Sequence, residues 1–103
     1  MPSPEQRLAE AGFRLPAPMQ GPPGVNLPFA FVNVRGDRAF ISGTPRQDQT
    51  GAVTGPFGQF GTDFTTSEGY DIACDIALGA FANLKAEIGE LSRVTGWARV
   101  FGL

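Results

Sequence analysis

TSEGYDIACDIALGAFANLKAEI, residues 66–88, is the one long stretch of the chain with helical periodicity. Tyr70, Cys74, Ala77, Leu78, Phe81, Leu84 and Ile88 recur at spacings of three and four, which places them on one side of a helix. Glu68, Asp71, Asp75, Asn83 and Glu87 lie off the centre of that stripe and are expected to face water. Ile72 and Ile76 fall outside it and call for a second neighbour, from this chain or another. The helix has a start signal, Thr65 as cap with Glu68 three residues on to complete a capping box. Gly89 is its stop signal, because a left-handed residue is wanted there. A helix with one broad apolar face must lie on a sheet or on other helices.

The flanking sequence is expected to supply that surface. Upstream, Phe29 to Val34 is rich in aromatic and branched residues and reads as a strand, with Gly36-Asp37 as a turn and Arg38 to Ser42 as its hairpin partner. Gly43 to Asp63 is Gly-rich and polar, with a short third strand expected near Ala52 to Thr54. Downstream, Arg93 to Phe101 alternates small residues (Val94, Gly96, Ala98, Val100) with larger ones (Thr95, Trp97, Arg99, Phe101). That pattern predicts a strand whose small face receives the helix, reached by a right-handed crossover onto the same sheet. At the N terminus, Ser3 to Ala11 reads as a short peripheral helix, with Ser3 as cap, Pro4 in the first turn, Gln6 closing a capping box and Gly12 as its end. Prolines 16, 18, 22, 23 and 28 then make an extended lead-in with no core of its own. The expected organisation is one domain over 1–103, with 1–28 as its N-terminal helix and Pro-rich lead-in.

Composition narrows the function. Apolar residues make up 42% of the chain, enough for a modest core. A net charge of −2 argues against nucleic acid as a partner, since such a protein normally carries a basic face. No apolar run is long enough to span a membrane, and Met1 to Glu10 has no signal-peptide core, so a cytoplasmic protein is expected. With no histidine and one cysteine, Cys74, the chain excludes an intrachain disulfide, a Cys/His zinc site and any His-activated nucleophile. No metal is expected. Cys74 lies within the helix stripe and reads as core packing. Gly55, Gly58 and Gly61 are evenly spaced, but they lack the Lys-Ser/Thr of a phosphate-binding loop and read as turns.

Several segments, taken together, resemble the RidA (YjgF-type) family. Phe40-Ile41-Ser42-Gly43 is similar to the family's Phe-[Val/Ile]-Ser-Gly signature. Phe29 stands where a tyrosine is common, Gly36-Asp37 matches the first hairpin turn, and Thr50 to Gly55 resembles the second hairpin. Glu68-Gly69-Tyr70 resembles the family's helix start, Ala80 to Ala86 its Asn-Leu-Lys-containing middle, and Gly89 to Val94 the link into the next strand. The N-terminal helix and lead-in look like the longer branch of the family. The resemblance implies an α+β, chorismate-mutase-like fold, with a mostly antiparallel sheet and helices packed on one face. It implies a homotrimer with small-molecule clefts between subunits, and hydrolysis of reactive enamines and imines to ammonia and a 2-oxo acid without a cofactor. By the same resemblance Phe29, Ser42 and Gly43 would line the substrate cleft; Ser42-Gly43 also reads simply as a strand end followed by a turn.

The departures bear on catalysis. In the family a late arginine binds the substrate carboxylate and a later glutamate handles water and protons. Neither has a matching position in this sequence, so no catalytic residue is assigned, and Arg93 and Arg99 are not put in their place. The family's second helix and last strands are likewise unmatched, so the domain is expected to be incomplete at its C terminus. Thr44 replaces the usual glutamine after Ser-Gly. Beside the deaminase stand a non-catalytic small-molecule-binding or regulatory trimer of the same fold, an RNA-cleaving protein disfavoured by charge, and an inactive incomplete domain.

Overall fold

The computed structural model describes residues 2–20, 24, 31–55 and 62–101. In chain order these form α1 (Pro4–Glu10), β1 (Val32–Arg35), β2 (Arg38–Ile41), α2 (Thr66–Ile88) and a 3-10 turn, Leu91–Arg93. The described residues are therefore α+β: two α-helices and a two-stranded antiparallel sheet.

Both helices begin as their sequences require. The Ser3 hydroxyl accepts from the Gln6 N–H at 3.1 Å while the Gln6 side chain accepts from the Ser3 N–H at 2.8 Å. Thr65 and Glu68 repeat the arrangement on α2, at 3.1 and 3.0 Å. These reciprocal bonds satisfy donors that a helix start leaves without partners. Gly89 ends α2 at φ +91°, which a side chain would resist, and its N–H donates to the Lys85 carbonyl. The hairpin register is Val32↔Ile41, Asn33↔Phe40, Val34↔Ala39 and Arg35↔Arg38, closed by Gly36 and Asp37. Of these two turn residues only Gly36 has positive φ, the pattern of a type II′ turn.

Val32, Leu84 and Leu91 form the apolar centre, with Leu8, Leu15, Ile41, Phe81, Ile88 and Val94 packed around them. A 23-residue helix runs about 34 Å, whereas a four-residue strand spans about 13 Å. The hairpin therefore cannot cover the whole predicted stripe. Tyr70 is 71% exposed and Ala77 is exposed, both against expectation, while Leu84 is 2% exposed.

The other buried side of α2 is polar. Gly79, Ala82 and Asn83 are buried there, although Asn83 reads in sequence as solvent-facing. Asn83 Oδ1 accepts from the Met19 N–H at 2.6 Å, and its Nδ2 donates to Gln47 Oε1 at 3.4 Å. Gln47 Nε2 donates in turn to the Ala17 carbonyl at 2.7 Å. Backbone bonds from Ala17 N–H to Gln49 O and from Gln20 N–H to Gly51 O continue the contact. The segments 47–51 and 17–20 thus lie along this side of the helix. Ile72 and Ile76 lie on the same side by helical geometry and are half-buried.

Two expected strands do not form. Residues 52–54 contribute only one isolated bridge, Val53 to Gln47. From Val94 to Phe101 there is no strand. Leu91–Arg93 turns instead, the Arg93 guanidinium donates to the Ile88 carbonyl at 2.8 Å, and only Val94 returns to the core. Gly96, Ala98 and Val100 are exposed, so the small face receives no helix and no crossover reaches the sheet. Period-two alternation suits a segment for pairing, but it does not bring the segment to a strand, and among the described residues the outer edges of β1 and β2 take no third strand.

Leu84→Ala is expected to cost about 2–5 kcal/mol in denaturant unfolding, and Tyr70→Ala less than about 0.5 kcal/mol. Similar costs for the two would contradict the burial described. Gly79→Ala tests the polar side. Alanine would gain about 1 kcal/mol of helix propensity, but its Cβ would sit 2.9 Å from Gln47 Oε1, on a side chain hydrogen-bonded at both ends. Overpacking of about 1–3 kcal/mol should win, giving a net loss of stability. A stabilised variant would show that Gln47 is not pinned.

Candidate functional site

The Ser42-Gly43 segment leaves the end of β2. Ser42 N–H donates to the Phe31 carbonyl at 2.9 Å, extending the hairpin ladder by one pair, and the Thr44 hydroxyl donates to the Ser42 carbonyl at 2.9 Å. Ser42 is half-buried and Gly43 exposed. A Cβ built on Gly43 meets nothing within 4 Å, and its φ is not positive, so neither packing nor backbone strain demands glycine there. The space over this backbone is open. Phe29, expected to wall the same cleft, lies outside the described residues, as do Gly58 and Gly61.

Arg46 is the cation nearest in sequence to Ser42-Gly43. Its Nε and Nη2 meet Asp75 Oδ2 at 2.8 and 2.7 Å, and its Nη1 donates to the Gly55 carbonyl at 3.1 Å. Both side chains of the pair are about one-third exposed, so it is a local tie worth at most about 1 kcal/mol. The guanidinium is already engaged by a carboxylate and a carbonyl, which leaves it poorly placed to receive a substrate carboxylate. Cys74 is half-buried.

Three carboxylates are held below their usual range, and each serves structure. Glu68 is lowered first by the Thr65 N–H in the α2 capping box. Asp48 is lowered first by the Thr50 hydroxyl, then by backbone N–H groups of the turn that closes on Gly51. Glu5 is lowered first by its own backbone N–H, with the Leu91 N–H and Lys85 adding to the effect. The Glu5 carboxylate thereby joins α1 to the end of α2, with Lys85 Nζ at 3.4 Å.

A groove elsewhere in the fold was not anticipated from the sequence. Leu8, Phe13, Phe81, Leu91 and Trp97 wall a groove of about 360 Å3, with Arg7 at its rim. The Phe81 and Trp97 rings are 5.9 Å apart, tilted by 39°. Spacing gives no hint of this grouping, because Phe13 and Trp97 stand 84 residues apart in sequence. Among the described residues, no group of three or more His, Cys, Asp or Glu side chains is placed to hold a metal, and no helix is long and apolar enough to cross a membrane. No family model, curated protein or solved structure matches this chain.

The lowered carboxylates fix the pH response. A group whose pKa is lower in the folded state stabilises above its unfolded value and loses that contribution as pH falls through the folded value. Glu5, Asp48 and Glu68 all act in this sense, so the urea midpoint should fall below about pH 4.5. With no histidine in the chain, it should stay level between about pH 6 and 7. A midpoint that rises on acidification would contradict this account.

Proposed function

We propose that this chain is a RidA-type protein of chorismate-mutase-like fold, acting on reactive enamines and imines as a homotrimer with ligand clefts between subunits. The observation that carries the reading is the Phe40-Ile41-Ser42-Gly43 segment closing a hairpin, with open space over Gly43 and the opposite face of Val32 and Ile41 set against α2. In this reading the exposed Gly43 backbone and the Ser42 side chain orient a small anionic imine and a water molecule. Water adds to the imine carbon, the carbinolamine collapses, and ammonia leaves with the 2-oxo acid as co-product.

The non-catalytic reading of the same fold has its own support. The lowered carboxylates are all engaged in capping, turn or segment-joining contacts, and Arg46 is committed to Asp75. A carboxylate substrate held without a cationic partner loses a charge-assisted hydrogen bond of roughly 1.5–3 kcal/mol, or about ten- to a hundred-fold. The 103-residue chain is accordingly expected to turn over slowly, and any longer natural form that supplies the late arginine and glutamate to turn over faster.

Ammonia release from 2-aminoacrylate generated in situ tests the reading, with Gly43→Ala as the diagnostic variant. Its unfolding free energy should change by less than about 0.5 kcal/mol, because the added methyl group enters open space. Its turnover, or its affinity for the imino acid, should fall at least about tenfold, since the methyl group occupies the cleft. No ammonia release above background in either length would remove the deaminase reading. Ligand affinity indifferent to Gly43→Ala would remove the cleft.

A further inference from the structure

We infer that the groove between α1, the C-terminal part of α2 and the segment 91–97 is a binding site for a small aromatic carboxylate. A volume of about 360 Å3 falls within the range of small-ligand sites, which are mostly apolar with a few polar groups that fix orientation. Leu8, Phe81 and Leu91 form its inner wall. Phe13 and Trp97 present rings that remain 44% and 57% exposed, a large aromatic surface to leave in water. Such faces favour a flat ring in offset or tilted contact.

The charge at the rim selects the sign of the ligand. Arg7 is the only charged residue lining the groove, and its guanidinium makes no hydrogen bond or ion pair among the described residues. The carboxylate next to it in sequence but one, Glu5, is turned to Lys85 and the Leu91 N–H. A planar guanidinium with open donors beside aromatic walls matches a carboxylate carried on a ring. A bare inorganic anion would leave the walls wet, and a neutral ring would leave the cation unused. The inference does not rest on the deaminase reading, because none of the lining residues belongs to the hairpin or to Ser42-Gly43.

Trp97 is the only tryptophan, so its indole N–H gives a single resonance that reports on this groove. Titrating 2-naphthoate into the labelled protein should shift that resonance saturably. The neutral isostere 2-naphthamide should need at least about tenfold higher concentration. Arg7→Gln should bring the acid down to the affinity of the amide while leaving amide binding intact, and Arg7→Lys should restore part of the preference. Equal affinity for acid and amide would overturn the inference, as would the absence of a saturable shift. Loss of both ligands in Arg7→Gln would overturn it too, because Arg7 would then support the groove rather than read a carboxylate. A Trp97 shift that follows protein concentration alone would assign the groove to self-association instead.

Discussion

Asn83 holds two distant parts of the chain against one helix. Its carbonyl oxygen takes the Met19 N–H and its amide meets Gln47, which reaches on to Ala17. Removing either amide would strand polar groups in a buried place, which costs more than a hydrogen bond adds. The relay needs close approach. Gly79, one turn before Asn83, leaves room for the Gln47 side chain, and a Cβ on Gly51, where φ is +89°, would run into the Pro18 carbonyl. Without these contacts residues 17–20 would have little to hold them, and the Asn83 side of α2 would face water.

The apolar side of the helix follows from a different limit. Two four-residue strands offer too little surface for a 23-residue helix, so the core gathers around Leu84 near its C-terminal end. Leu91 and Val94 fold back to complete it, and α1 closes the edge through Leu8 and the Glu5–Lys85 pair. Tyr70 and Ala77 of the predicted stripe are left exposed. The aromatic groove arises at the same end, where α1 and the 91–97 segment meet Phe81 without filling the space between them.

Chemistry divides along these lines. The electrostatic contacts at Glu5, Asp48, Glu68 and Arg46 maintain caps, turns and segment ties. The two candidate sites are different in kind: a strand end followed by exposed glycine backbone after β2, and an apolar groove whose one charged lining residue, Arg7, has no ion pair among the described residues. The first supports a reading through its sequence signature. The second was invisible to any motif, because Arg7, Phe13, Phe81 and Trp97 converge only through tertiary packing.

By itself the sequence determined what short-range chemistry controls. Thr65 with Glu68 and Ser3 with Gln6 set both helix starts, Gly89 set the end of α2, and Gly36-Asp37 set the hairpin, since each device acts within a few residues. Ser42 and Gly43 were legible as a strand end for the same reason. Tertiary structure alone decided which helix faces were covered. Asn83 reads as solvent-facing until a second amide and a backbone N–H come to it, and Tyr70 reads as core until the sheet proves too short. The alternation from Val94 to Phe101 marks a segment able to pair. Whether it does depends on tertiary packing that carries it to a strand edge, which sequence periodicity does not encode.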